Sequence, residues 1–349
     1  MKTRVRIRGI GRLCQSARWA SKRFTHQALI LLYHRIVELS SDPYLLGVKP
    51  QRFAEHLEIL RKHGRPMQLH QLAQALRDGN LPRRALVVTF DDGYADNLYT
   101  AKPLLERFEV PATIFVTTGY IGRDREFWWD ELERLLLQPG ILPETLRLNI
   151  GAGVCEWKLG DTVCYSEDDY QQHVSWNVAK VAPTIRHNLY NSLYQRLLPL
   201  AEVERREVLD ELLRWAGREP RARRSHQLVS SDEVVRLSEG GVIEIGAHTV
   251  NHPALSGLPA AVQRDEVVES KAHLTRILGR RVTSFAYPYG DYTTETAAIV
   301  QGAGFDSACS TVARTVRRGT NHFELPRVLV RDCSGDVFDR RLWTFFRDE

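Results

Sequence analysis

The sequence has few cysteines and no arrangement of them that suggests a covalent framework. Five occur among 349 residues, and none forms a Cys-x-x-Cys pair. A small disulfide-stapled domain is therefore excluded, and this usage is typical of a reducing compartment. The sequence also lacks an early apolar run of the length found in export signals, because residues 28–33 lead directly into His34 and Arg35. We therefore expect a cytoplasmic protein.

Acidic residues are missing from the start of the chain. Eight lysines and arginines lie between Lys2 and Arg23, whereas the first acidic residue is Glu38. The net charge of the whole chain is +5, so the remainder is close to neutral and a nucleic-acid enzyme is not expected. A basic arm over residues 1–27 would suit anionic lipid head groups at the inner membrane face, or it would be only a solvated tail.

Short apolar strands alternate with amphipathic helices on both sides of a central segment that lacks this alternation. This pattern predicts an α/β fold whose ligands bind at the carboxyl ends of parallel strands. The two flanking parts are residues 28–121 and 225–349, and residues 122–224 are expected to form an insertion of helices plus a hairpin. The predicted strands are 29–37, 85–90, 112–117, 242–247, 284–287 and one from 307, and the predicted helices are 50–63, 69–77, 100–108, 231–239, 260–278 and 293–302, with a long helical region over 175–216 in the insertion.

Two adjacent carboxylates follow the predicted strand 85–90, in the sequence Thr89-Phe90-Asp91-Asp92-Gly93. Burial of two like charges costs free energy unless a cation or hydrogen-bond donors compensate them. Neighbouring side chains of an extended segment point to opposite sides, so one carboxylate can bind a divalent metal while the other acts elsewhere in the pocket. The alternative is a turn that only closes the strand.

Two histidines follow the predicted strand 242–247, in the sequence His248-Thr249-Val250-Asn251-His252. We expect the i, i+4 spacing to place both imidazoles on one face of a helical turn, where both can reach one ion. Two imidazoles and a carboxylate form a catalytic metal set with positions left for water and substrate. A chance pair of histidines would not explain the aspartate pair at an equivalent strand end.

A third motif, Phe285-Ala286-Tyr287-Pro288-Tyr289-Gly290, also lies at a predicted strand end. Backbone N–H groups beside Pro288 could polarise a carbonyl oxygen, and the tyrosines offer flat surfaces for sugar rings. In this order, the FDDG, HTVNH and YPYG motifs resemble those of the polysaccharide deacetylases of carbohydrate esterase family 4, the NodB-homology enzymes. The resemblance covers about residues 28–118 and 231–330. It implies a distorted, partly open (β/α)7 barrel and metal-dependent removal of an N-acetyl or related acyl group from an amino sugar.

The resemblance also implies roles for individual residues. The family's metal is usually zinc, with cobalt or nickel as substitutes, and the oxyanion contact would be the backbone at Tyr289. By the same match, Asp91 is the general base and the metal ligands are Asp92, His248 and His252.

The sequence departs from the family pattern at two places. Ala286 stands where the third motif usually begins with an arginine that orients the catalytic aspartate, and the usual late Leu-x-His is absent. Arg327 is a candidate for the missing charge that holds Asp91 ionised, unless it lies on the surface. His34 resembles the N-terminal histidine of the branch that includes biofilm poly-N-acetylglucosamine deacetylases. We predict it to be the general acid, the alternative being a histidine hydrogen-bonded to backbone at the edge of the core.

These inferences predict a metal-dependent hydrolase acting on an N-acetylated glycan or a lipid-linked sugar. Pro288, Tyr289 and Arg327 are the residues expected on the substrate side. The aromatic run Phe127-Trp128-Trp129 either borders a glycan or lipid groove or packs a helix. An alternative is a catalytically impaired carbohydrate-binding protein on the same fold, and a metal hydrolase of small non-sugar amides would use the same residues.

Overall fold

The computed structural model describes residues 26–151 and 153–347. The basic arm predicted at residues 1–27 therefore lies almost entirely outside the described residues. The strands are β1 (Gln27–Tyr33), β2 (Arg35–Ile36), β3 (Gly47–Val48), β4 (Arg65–Pro66), β5 (Ala85–Phe90), β6 (Ala112–Val116), β7 (Gly140–Ile141), β8 (Thr145–Ile150), β9 (Gly153–Lys158), β10 (Cys164–Tyr165), β11 (Ile243–Ala247), β12 (Ser284–Ala286), β13 (Ser307–Cys309), β14 (Val316–Arg317) and β15 (Val328–Leu329).

One curled sheet carries the candidate site. Its strand order is β13-β12-β11-β6-β5-β1-β14, with β4 paired to β5 and β15 paired to β1. The six strands from β13 to β1 pair in parallel, whereas β14 is antiparallel to β1. The carboxyl ends of the parallel strands therefore meet at one edge. This curled half-barrel confirms the predicted α/β fold with a distorted, partly open barrel.

Apolar sequence explains why these strands form the centre of the molecule. Every residue of β1, β5 and β6 is buried, as their continuous hydrophobic runs predict for strands covered on both faces. The predicted strand 29–37 is interrupted at His34, where β1 ends and the short β2 begins. The break places His34 at the carboxyl end of β1.

Helices cover the sheet at nearly the predicted positions. One predicted helix, 100–108, begins as a π-helical turn over Asn97–Ala101 before the helix Lys102–Arg107. The long helical region of 175–216 is two separate helices, Ile185–Leu197 and Glu202–Trp215. None of the helices in the described part of the chain is long and apolar enough to cross a membrane. The helices are α1 (Pro50–His63), α2 (Leu69–Arg77), α3 (Lys102–Arg107), α4 (Trp128–Leu136), α5 (Glu167–His173), α6 (Ile185–Leu197), α7 (Glu202–Trp215), α8 (Ser231–Ser238), α9 (Ala260–Leu278), α10 (Thr294–Gly302) and α11 (Gly335–Arg347).

The segment predicted as an insertion contains α4 to α7 and the short strands β7 to β10. Its buried apolar side chains form a cluster separate from that of the central sheet. Tyr94, Tyr120 and Leu228, which lie outside residues 122–224, join this cluster. The segment therefore packs directly against residues that follow β5 and β6, beside the carboxyl edge of the sheet.

Candidate active site

Asp91 and Asp92 follow β5 directly and leave it in different directions. The Asp91 amide continues the sheet by donating to the Tyr33 carbonyl at 3.1 Å. Asp92 and Gly93 then have φ values of +77° and +87°, so the chain turns sharply. A Cβ atom at position 93 would lie 3.1 Å from the Val116 side chain, which favours glycine there. The turn sends the two buried carboxylates to different partners.

His248 and His252 come together, but the predicted helical turn is wrong. Thr249 and His252 have φ values of +64° and +55°, so these residues form an irregular loop. The Thr249 hydroxyl accepts the His252 amide at 3.0 Å, and Glu266 of α9 accepts two further amides of the loop at 2.7 and 2.8 Å. The loop still brings the two imidazole ring centroids to 4.8 Å.

The residues predicted as metal ligands fit a divalent ion. The Asp92 Oδ1 atom lies 3.6 Å from His248 Nε2 and 3.3 Å from His252 Nε2, and all three side chains are buried. His248 Nδ1 donates to the Ala286 carbonyl at 2.7 Å, which leaves Nε2 as the acceptor and ligand atom. Burial lowers the pKa of His248 to about 4 and that of His252 to about 3, so both rings are neutral. Burial also raises the pKa of Asp92, a cost that a cation would offset.

Arg327 holds the other carboxylate. Its Nη1 and Nη2 atoms donate to the two oxygens of Asp91, each at 2.7 Å, and its Nε donates to the Ser310 carbonyl at 2.9 Å. Burial alone would raise the pKa of Asp91, but the positive charge of Arg327 and its hydrogen bonds lower it to about 2. Arg327 is fully buried, so the surface position considered as its alternative does not occur.

A cavity of about 380 Å³ opens above these residues. Two residues expected on the substrate side, Arg327 and Pro288, are buried and do not belong to the cavity wall, and their contact with substrate stays a prediction. The predicted residues that do line it are His34, Asp91, Asp92, His248, His252 and Tyr289, and other wall residues are Tyr44, Trp129, Tyr194, Leu329 and Arg331.

His34 faces the cavity from the end of β1. Its Nδ1 atom is buried and has no hydrogen-bond partner among the described residues, so the backbone-bonded alternative is not found for this atom. Burial is the main cause that lowers the pKa of His34. The negative charges of Asp92 and Asp91 oppose this shift, whereas the positive charge of Arg327 adds to it. The imidazole is therefore neutral near pH 7.

The aromatic run Phe127-Trp128-Trp129 at the start of α4 was predicted either to border a groove or to pack a helix, and its members differ in this respect. Trp129 lines the cavity, whereas Phe127 and Trp128 are almost completely buried in helix packing. The Trp129 ring lies 5.0 Å from the His252 ring, and the Tyr289 ring stands nearly perpendicular to His252 at 4.6 Å. Tyr289 has a φ of +59°, which turns its backbone relative to the preceding strand. One ligand histidine is thus enclosed between two aromatic rings.

A buried polar chain behind Trp129 was not predicted. Trp129 Nε1 donates to the Tyr94 hydroxyl at 3.1 Å, and this hydroxyl donates to Asp130 at 2.8 Å. The guanidinium of Arg35, which also binds Asp96, lies 4.1 Å from the Tyr94 ring centroid. Burial raises the pKa of Asp130 to about 8. The available signal was the position of Tyr94, one residue after Asp91-Asp92-Gly93.

Comparisons with known proteins agree with the motifs. The sequence model of the polysaccharide deacetylase family matches residues 78–142 and 213–308. YxkH of Bacillus subtilis, whose name assigns it provisionally to that family, is 20% identical over 312 residues, which cover 88% of this chain and 74% of YxkH. The poly-beta-1,6-N-acetyl-D-glucosamine N-deacetylase of Escherichia coli is 30% identical over 96 residues, which cover 27% of this chain and 14% of that enzyme.

The solved structure of IcaB from Ammonifex degensii supports the fold. It aligns with a TM-score of 0.57 at 19% identity, over 92% of this chain and 97% of IcaB. At this identity the likeness bears on the fold alone, and it agrees with the partly open barrel. The resemblance drawn from the three sequence motifs is therefore confirmed.

Proposed function

Since the chain matches the sequence model of the polysaccharide deacetylase family over residues 78–142 and 213–308, we propose that it is a metal-dependent hydrolase that removes N-acetyl or related acyl groups from amino sugars. The match to this family and to the N-deacetylase relatives supports a hydrolase of carbon–nitrogen bonds other than peptide bonds. The observation that carries the proposal is the pairing of Asp91 with Arg327 directly beside the cluster of Asp92, His248 and His252. Zinc is the ion that we expect there, and cobalt or nickel suits the same ligands.

The proposed chemistry divides the work among the residues of the cavity. A divalent ion at the cluster would supply charge to polarise an amide carbonyl and acidify water. Asp91, kept ionised by Arg327, accepts a proton from the attacking water at its carboxylate. His34 is neutral at rest, so the proton that it passes to the leaving amine is the one that Asp91 takes from the water, and this transfer leaves Asp91 ionised again. The backbone at Tyr289 contacts the carbonyl oxygen.

The cavity wall supports a sugar as the substrate. Trp129, Tyr44, Tyr194 and Tyr289 supply aromatic surfaces of the kind on which sugar rings pack. The name of the Escherichia coli relative makes poly-N-acetylglucosamine the first polymer to test. A lipid-linked saccharide precursor is the other substrate that we propose. Contact of the basic arm with the inner membrane face, and a cytoplasmic location, stay predictions from the sequence.

The contact between Arg327 and Asp91 also favours an enzyme over a carbohydrate-binding protein. The hypothesis of a carbohydrate-binding protein was based on two missing features, the arginine replaced by Ala286 and the histidine of the late Leu-x-His motif. Arg327 reaches Asp91 from another strand, and His34 faces the same cavity. A protein that only binds glycan has no need of a buried, charge-paired carboxylate beside a metal set.

Acetate release by the purified, zinc-loaded protein tests the proposal. The substrates are N-acetylglucosamine oligomers and lipid-linked acetamido sugars, and the variants are Asp91→Asn and His248→Ala. His273→Ala, on α9 and outside the cavity wall, is the matched control for the second variant. We expect release by the wild type and by the control, and none by the two site variants.

Measurement of bound zinc distinguishes the reasons for which acetate release could fail. We expect one zinc ion per chain in the wild type and in Asp91→Asn, and much less in His248→Ala. Stoichiometric zinc without release from any amide would favour the carbohydrate-binding alternative. Release from small amides but not from glycans would favour the small-amide hydrolase. Absence of zinc binding by the wild type would overturn the proposed function.

A further inference from the structure

Three alternate residues at the end of the sheet share one face. Arg327, Leu329 and Arg331 follow the two-residue period of β15 and its continuation, in which the Val330 amide donates to the Leu32 carbonyl at 2.9 Å. Val328 and Val330 pack on the opposite side against the core of the sheet. Leu329 and Arg331 line the cavity, and Arg327 lies below it. The same strand face thus places Arg327 below the floor of the cavity and Arg331 at its exposed rim.

The two arginines have opposite surroundings. Arg327 is fully buried and its charge is balanced by Asp91 through two hydrogen bonds. Arg331 is exposed and makes no hydrogen bond, ion pair or ring contact with another described residue. Its neighbour Asp332 accepts the backbone amide of Lys49 at 3.0 Å.

No acidic residue of the described cavity wall balances Arg331. The two carboxylates that line the cavity are Asp91, which is held by Arg327, and Asp92, which faces His248 and His252. A neutral N-acetylated glycan would bring no charge to this position. A guanidinium presents a planar fork of donors that matches two oxygens of a phosphate or a carboxylate. An anionic group of a ligand bound in the cavity would supply the complementary charge.

We propose that the natural substrate carries an oxyanion beside the amino sugar that is deacylated, and that Arg331 binds this group. The inference rests on the proposed function and narrows its substrate class. The cavity of about 380 Å³ falls in the range of small-molecule sites, so a sugar and one adjoining group share it. The oxyanion is a phosphate in a sugar phosphate or lipid-linked precursor, or a carboxylate in a polymer that contains uronic acid.

Steady-state kinetics on matched substrates test the assignment. The substrates are a neutral N-acetylglucosamine disaccharide, N-acetylglucosamine 1-phosphate, and a disaccharide of N-acetylglucosamine with a uronic acid. Arg331→Gln is expected to lower kcat/KM about ten- to a hundredfold for one of the two anionic substrates, mainly through KM, which is the loss expected for a charge-assisted hydrogen bond. The same variant should keep its kcat/KM on the neutral disaccharide. The anionic substrate that suffers the loss identifies the source of the oxyanion.

Two further variants define what Arg331 contributes. Arg331→Lys keeps the charge but not the planar fork, so we expect partial recovery on the anionic substrate. Arg280→Gln, an exposed change beyond the end of α9, should behave as the wild type on all substrates. An equal loss on neutral and anionic substrates, or no loss on either anionic one, would overturn the assignment.

A binding measurement makes the inference independent of turnover. Calorimetric titration of N-acetylglucosamine 1-phosphate, of the acidic disaccharide and of neutral N-acetylglucosamine into Asp91→Asn, with and without Arg331→Gln, compares the ligands without hydrolysis. We expect one anionic ligand to bind at least tenfold more weakly when Arg331 is replaced, and the neutral sugar to be unaffected. Equal affinities would refute the role of Arg331 even if the protein is a deacetylase. A selective loss would support it even if acetate release fails.

Discussion

Replacement of Arg327 by glutamine should cost a large part of the stability of this protein. The two N···O distances to Asp91 are both 2.7 Å, and the side chains of Arg327 and Asp91 are 0% and 4% exposed. Opposite charges about 4 Å apart interact with roughly 4 kcal/mol at an effective dielectric constant of about 20. Loss of one partner of a buried pair typically costs about 3–5 kcal/mol, because the other charge is left unpaired. We expect Arg327→Gln to lower the free energy of unfolding by about that amount.

A double-mutant cycle isolates the pair from other consequences of the change. Asp91→Asn should cost a similar amount, because it leaves the Arg327 guanidinium buried without its partner. The double variant leaves neither charge buried, so it should lose at least about 2 kcal/mol less than the sum of the single losses. The assay is urea unfolding followed by circular dichroism, in the presence of a chelator so that metal binding does not contribute.

Arg331→Gln is the matched control for this cycle. It is the same chemical change four residues further along the same strand face, but at an exposed position. Its effect on the free energy of unfolding should stay within about 0.5 kcal/mol. A coupling energy below about 0.5 kcal/mol between Asp91 and Arg327 would refute the reasoning, because it would mean that the two charges do not interact in solution.

Three further changes probe the surroundings of the site. Burial raises the pKa of Asp130 to about 8, so between about pH 4 and pH 8 this carboxyl is protonated in the folded state and ionised in the unfolded state. The free energy of unfolding should therefore fall as the pH rises through this range, by up to about 1.4 kcal/mol per pH unit. Asp130→Asn should remove this slope in urea unfolding at pH 5 and pH 8, and an unchanged slope would contradict the assigned protonation. Tyr94→Phe removes the hydroxyl between Trp129 and Asp130 and should cost about 1–3 kcal/mol in the same assay, whereas a loss below 0.5 kcal/mol would argue against the hydrogen-bonded chain. Gly119→Ala would place a Cβ 2.5 Å from the Val250 carbonyl in the histidine loop, so zinc affinity in a competition titration should fall at least tenfold, and wild-type affinity would speak against this contact.

Local sequence patterns were sufficient to predict the elements that carry the site. Every residue of β5 is buried, and so is every residue of β11 except Glu244. The residues that follow these strands, Asp91, Asp92 and His248, are polar groups at the strand ends where a parallel sheet binds ligands. The bounds of α1, α2 and α9 also agree with their apolar periodicity. These features depend on neighbours in the sequence, so they can be read from it.

Features that depend on distant partners were harder to predict. The i, i+4 spacing of His248 and His252 suggested a helical turn. Instead, the Glu266 carboxylate accepts hydrogen bonds from two backbone amides of the loop and so stabilises an irregular backbone. The prediction that the two imidazoles meet was correct, but the helical turn from which it was derived was wrong, since an irregular loop of the same length also brings the rings together. Which aromatic of α4 reaches the cavity depends on the packing of the whole helix, so Trp129 could not be told from its two neighbours in the sequence.

The charged partner of Asp91, the proposed general base, is synthesised long after it. Asp91 and Arg327 are separated by 236 positions, and the two strands β14 and β15 that pair with β1 also come long after it in the sequence. At about 5–20 residues per second, a ribosome needs roughly 12 to 50 s to cover this distance. Until Arg327 emerges, burial of the Asp91 charge is unfavourable and the edge of β1 is bare. Pairing of β15 with β1 and pairing of Arg327 with Asp91 therefore belong to one step of folding, which cannot occur before Arg327 has left the ribosome.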